Sequence, residues 1–143
     1  MAITSAICNS FKTEILTGTH NFTASSGDTF KLALYTSSAS LGASTTAYTT
    51  SNEVSGSGYT AKGNALTSVT PTLDSSTAVC DFADTSFTSA SFTARGCLIF
   101  NDSATGDPAV CAIDFGSDKT VTSGTFTIQF PTADASNAII RIA

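Results

Sequence analysis

The chain has 143 residues, enough for one domain that buries roughly 70% of the surface its unfolded form exposes, and too few for two. Charged residues make up only 12%, about half the usual ~25% share, while Ser and Thr supply about a third, so the polar surface is hydroxyl-rich rather than ionic. A net charge of -5, with Lys12, Lys31, Lys62, Arg95, Lys119 and Arg141 widely scattered, argues against a nucleic-acid binder, which needs clustered cations to displace counterions.

Apolar runs stay well short of the ~20 residues of a membrane span, and Met1 to Lys12 lacks the basic flank and apolar core of a secretory signal. The expectation is synthesis and folding in a cytoplasm. From Ile3 to Leu16, apolar side chains at Ile3, Ile7, Cys8, Phe11, Ile15 and Leu16 follow helical spacing and predict a helix over about 3–17, capped by Thr4 or Ser5 and closed by Gly18. Its stripe of Ile7, Phe11 and Ile15 is a candidate packing or interface surface, with packing on the chain's own sheet preferred.

Beyond Gly18 the period changes, and strands are expected from about residue 29 onward. Phe30, Leu32 and Leu34 alternate with Lys31, Ala33 and Tyr35 as in a half-buried strand. The Ser, Thr, Ala and Gly-rich stretch from Ser37 to Gly63 reads as loop, with short strands around Tyr48 and Tyr59. Further strands are predicted at Ala65 to Thr70, Ala78 to Phe82, Ser91 to Phe100, Ala109 to Phe115, Gly124 to Phe130 and Ala138 to Ile142. The turn-forming stretch Asn101 to Pro108 would join two of them as a hairpin, and Phe126, Ile128 and Phe130 would share a core face. The sum is a mainly β single domain, 1–143: an antiparallel sandwich or barrel with one N-terminal helix. So few Lys and Glu residues leave its strand edges short of the charges that usually keep other chains away.

Acid–base chemistry at neutral pH usually recruits a histidine, and His20 is the single candidate; without a nucleophile elbow it reads as structural. Cys8, Cys80, Cys97 and Cys111 lie too far apart in sequence for a zinc motif, so no metal or other cofactor is expected. With a hairpin centred on Ala104, Cys97 would stand directly opposite Cys111, a candidate disulfide that a one-residue slip would abolish. The competing reading makes all four thiols small apolar fillers. Asp81 with Asp84, and Asp114 with Asp118, are close enough to consider as carboxylate pairs but read as turn formers. The loop from Asn101 fails as a calcium site because Ala112 stands where the bidentate carboxylate is required. Tyr35, Tyr48 and Tyr59 would serve a sugar-binding platform or, more simply, core and rim packing.

Ile7-Cys8-Asn9-Ser10-Phe11-Lys12, His20-Asn21-Phe22, Phe30-Lys31-Leu32-Ala33-Leu34-Tyr35, Gly58-Tyr59-Thr60, Gly63-Asn64-Ala65-Leu66 and Asp81-Phe82-Ala83-Asp84 resemble a family of small virion proteins of tailed bacteriophages. Asp114-Phe115-Gly116, Gly124 to Pro131 and Ala138 to Ala143 resemble that family's closing strands. The resemblance spans nearly the whole chain through scaffold motifs and carries no catalytic residues. It implies a non-enzymatic virion protein assembled in the bacterial host cytoplasm, foremost a capsid decoration or cement subunit. Its partners would be the major capsid protein or other virion proteins and further copies of itself, not nucleic acid or membrane. A neck, tail or fibre-base component is the alternative on the same particle, and a carbohydrate-binding adhesin module is the alternative of another class.

Overall fold

In the computed structural model, which describes residues 2–143, two antiparallel sheets pack in a sandwich-like arrangement. The expected helix is shorter at its start. Ala6–Ile7 forms a strand, β1, and the helix α1 covers Asn9–Leu16. The first residues are extended because their backbone groups find partners across the sheet instead of within a helix: Ala6 pairs Ala112, Ile7 pairs Cys111, and the Cys8 amide donates to the Val110 carbonyl at 2.9 Å. Cys8 is therefore the N-cap, without a side-chain cap bond, and the predicted cap residue Ser5 accepts the Asp114 amide instead. At the other end Gly18 (φ +76°) donates to the Ile15 carbonyl and Thr19 to that of Glu14, the Schellman arrangement that a left-handed glycine permits.

The remaining strands are β2 (Phe30–Tyr35), β3 (Asn64–Ala65), β4 (Ser68–Asp74), β5 (Thr77–Phe82), β6 (Thr85–Asn101), β7 (Ala109–Ile128) and β8 (Ile140–Ile142). One sheet has the order β1-β7-β6-β2-β3 and the other β4-β5-β8. The short strands expected around Tyr48 and Tyr59 are only single bridges, Ala47 to Pro108 and Ser57 to Ser91. The separate strand expected at Gly124 to Phe130 is instead the distal part of β7, which stays paired with β6 down to Ile128 opposite Thr85. Gly116 (φ +81°), Ser123 (φ +45°) and Gly124 mark bulges in that long strand and do not turn it, because β6 continues alongside to hold the ladder.

The hairpin register corrects the candidate disulfide. Cys97 stands opposite Ile113 and Cys111 opposite Ile99, and all four cysteines are free. The loop closes with Phe100 opposite Ala109, one position off a hairpin centred on Ala104, and Val110 is then an extra residue before Ile99 meets Cys111. The net slip of two keeps both thiols on one face but sets them diagonally.

The core lies between the sheets and under α1. Phe30, Leu32 and Leu34 are fully buried, as are Leu98, Ile99 and Phe100 on the paired stretch of β6. Burying each such side chain contributes about 1.5–3 kcal/mol. Phe22 stacks on Phe30 at 4.1 Å, and Phe82 of the smaller sheet meets Phe30 at 6.0 Å, so an aromatic cluster links the two layers. Phe11 of the predicted stripe is buried in this core, with Ile7 and Ile15 partly buried against it.

Candidate assembly surface

The outer half of the β6–β7 hairpin has two unlike edges. Along β6 the loop residues Gly56 and Gly58 lie so close that a Cβ on either would collide with the carbonyl oxygens of Ser91 or Thr88, and their positive φ also requires glycine. That edge is covered. Along β7, β1 reaches only Cys111 and Ala112, so beyond Asp114 the outer edge has no strand beside it among the described residues. The edge is uneven: Phe115 to Asp118 are accommodated opposite Arg95 alone, and one further residue is inserted between Val121 and Gly124. Bulges of this kind hinder ladder pairing with another chain.

Beside that edge runs an open groove of about 560 Å³, lined mainly by Phe115, Phe126, Ile128, Phe130 and Ile139, with Lys119 among the lining residues. Phe126 contacts Phe92 at 5.1 Å and Phe115 at 6.3 Å, so the wall continues the core aromatics outward. These side chains were expected to face a closed core. They are half-buried and line an open groove instead. Arg95 gathers Asp114 (3.2 Å) and Asp118 (3.6 Å), whereas Lys119 is exposed and has no carboxylate within 4 Å among the described residues.

A second apolar feature lies on the smaller sheet. Leu73 pairs Ala78 and Ala78 pairs Ile142, so the three form one row across β4, β5 and β8. Leu73 is 72% exposed and Ile142 57%. Neither was singled out in the sequence, since the row exists only once three strands are in register.

The residues that were singled out for chemistry are engaged internally. His20 is buried, with Nε2 3.2 Å from Glu14 Oε1 and Nδ1 3.1 Å from Asn101 Nδ2. Asn101 Oδ1 accepts the Ser103 and Ala104 amides and its Nδ2 donates to Asp28, which fixes the amide orientation. His20 Nδ1 must then accept, leaving the ring proton on Nε2 toward Glu14. The histidine pins α1 to the end of β6.

Tyr35 is buried and donates to the Thr49 carbonyl; Tyr48 and Tyr59 donate to the two oxygens of Glu53 at 2.6 and 2.7 Å. Burial and the Glu53 carboxylate push the Tyr48 hydroxyl up to about 12 and that of Tyr59 higher still. The three hydroxyls are thus held inside the protein, and the Tyr35 ring is fully buried. Lys62 lies over the Tyr48 and Phe100 rings and reaches Asp102 (2.8 Å) and Asp107 (2.7 Å), filling with an ammonium the loop that superficially resembles a cation site. Lys62, helped by Lys31, holds the Asp102 carboxyl below the usual range.

Burial raises the thiols, to about 11 for Cys8 and about 12 for Cys80 and Cys97, and Cys111 is raised further by the three other thiols. Thiolates, the reactive form, are therefore scarce at neutral pH. Of the carboxylate pairs, Asp84 accepts the Phe130 amide, while Asp81 is 1% exposed, accepts the Phe82 amide through Oδ1 and leaves Oδ2 without a partner. Burial lifts the Asp81 carboxyl above its ordinary value. Among the described residues no three His, Cys, Asp or Glu side chains are grouped so as to hold a metal ion, and no helix is long and apolar enough to cross a membrane.

Comparison with protein-family models, with curated proteins and with solved structures finds no match for this chain.

Proposed function

We propose that this chain is a non-enzymatic structural protein of a tailed-phage virion, acting as a decoration or cement subunit on the assembled head. The observation that carries the reading is the open apolar groove along β7 on a surface where charged residues are scarce. Such a groove suits burial against another protein, since hydroxyls and apolar groups lose water at much lower cost than ions do. The resemblance of the scaffold segments to small phage virion proteins points the same way. A subunit that binds only the assembled lattice adds its binding free energy to the shell, and many weakly held copies together resist internal pressure.

The test is the composition of purified particles by quantitative mass spectrometry, followed by image reconstruction. A copy number in the hundreds, with density over the head, supports the decoration role. A few copies, or a dozen, would move the protein to the neck, tail or fibre base, and its absence from particles would overturn a virion role altogether.

A further inference from the structure

We propose that the groove on β7 is a binding site for a single-chain fatty carboxylate, whose acyl tail lies in the aromatic trough and whose headgroup meets the Lys119 ammonium. The inference goes beyond the virion role: it concerns what the free subunit holds in the groove before a neighbour covers it.

The register of the hairpin places the lysine for such a ligand. Lys119 pairs Ala94 and Val121 pairs Phe92, so Lys119 springs from the side of the sheet that carries the buried Ala94 and Phe92. The intervening Thr120 faces the other way and meets Thr93 hydroxyl to hydroxyl at 2.8 Å on an exposed surface. A lysine on the apolar side lays its stem along the groove wall and keeps its ammonium at the rim. The carboxylates of Asp114 and Asp118 are engaged by Arg95, and Lys119 has no carboxylate within 4 Å among the described residues. An incoming anion therefore meets an uncompensated charge.

Size and polarity select the tail. The trough of about 560 Å³ falls within the ~300–1,000 Å³ of small-molecule sites, which are mainly apolar with a few polar groups that fix orientation. Besides Lys119, only Thr127 and Gln129 bring polar side chains to the lining among the described residues, and the Thr127 hydroxyl already bonds that of Ser86 at 2.9 Å. An extended peptide would strand its own N–H and C=O groups there, because the bulges opposite Arg95 and before Gly124 break the β7 ladder that would satisfy them. An acyl chain carries no such groups.

Isothermal titration calorimetry of the purified chain with octanoate and decanoate, both below their micelle concentrations, tests the proposal. Decanoate should bind about tenfold more tightly than octanoate, as two more methylenes leave water. Lys119→Gln, an exposed change with an unchanged melting temperature, should weaken decanoate by about three- to fivefold and leave decanol unaffected. Amide shifts in ¹⁵N NMR should fall on Phe115, Phe126, Ile128 and Phe130. The proposal fails if no saturable binding is seen, if Lys119→Gln binds decanoate as wild type does, if decyltrimethylammonium binds as well as decanoate, or if the shifts gather elsewhere. Capture on phosphatidylglycerol vesicles without binding of free decanoate would assign the trough to a membrane and overturn it too. Because the titration uses the free chain, its failure leaves the virion role standing, and absence from particles leaves the ligand site standing.

Discussion

Asn101 Nδ2 lies 3.1 Å from His20 Nδ1, and this bond ties the end of β6 to the segment that follows α1, 81 residues earlier in the chain. Both groups are buried, and the Asn101 amide also serves Asp28, Ser103 and Ala104. Asn101→Ala strands several of these partners at once and is expected to destabilise the fold by on the order of 3 kcal/mol in urea unfolding. In the wild type, ¹⁵N NMR should find His20 protonated on Nε2 and bare on Nδ1; the opposite tautomer would show that the amide orientation is reversed.

Asp81 should make the protein more stable in mild acid. Its folded-state carboxyl is raised by burial, so between the ordinary Asp value and the raised one the folded state binds the proton more tightly. Stability attributable to this group therefore falls as pH rises through that window and is lowest above it. Asp81→Asn keeps the Oδ1 acceptor and removes the buried charge. A gain on the order of 1 kcal/mol at pH 7, shrinking as the pH is lowered toward 4, is expected from unfolding curves across pH. A loss at pH 7 would contradict an uncompensated charge.

Phe30 and Phe126 separate the closed core from the groove. Phe30→Ala leaves a cavity beneath Phe22 and Phe82 and should cost about 3–5 kcal/mol. Phe126 already faces solvent on one side, and its truncation should cost clearly less, about 1–2 kcal/mol. Equal costs in thermal or urea melts would mean that the groove is closed in solution.

The four thiols are buried and their ionisation is suppressed, so a water-soluble disulfide reagent should react with the native protein only as fast as it opens, and with all four thiols at once in denaturant. Intact mass with and without reductant should be the same. A difference of two hydrogens would reveal one disulfide, and peptide mapping would show whether it joins the diagonally placed Cys97 and Cys111.

The apolar runs at Phe30 to Tyr35 and at Ala78 to Phe82 mark strands, but the half-buried reading of the first is corrected: Ala33 and Tyr35 are as fully buried as Phe30, Leu32 and Leu34, and in the second Val79 and Asp81 are buried beside Cys80 and Phe82, because chain on both sides covers these strands. The N-terminal helix was overextended for a related reason. Ile3, Ile7 and Phe11 do share an apolar stripe, but Ile3 and Ile7 are held by strand contacts to Leu41 and Cys111 that helical spacing does not encode. Gly116 and Gly124 read as punctuation between strands, yet they lie within one continuous strand because β6 supplies a matching partner on its other side. The groove was hidden in plain view: Phe126, Ile128 and Phe130 were recognised as one apolar face, but alternation reports which side is apolar and not whether anything covers it.

Composition and periodicity by themselves determined a mainly β fold with one N-terminal helix and a polar composition dominated by hydroxyls, since each follows from local pattern and from which residue types are present. Register, bulge positions, the diagonal placement of Cys97 and Cys111, the row from Leu73 to Ile142 and the uncovered length of β7 were decided only in three dimensions. They depend on how strands far apart in the chain align and on where one sheet ends above the other, and those are sums over many weak contacts that no short window of residues contains.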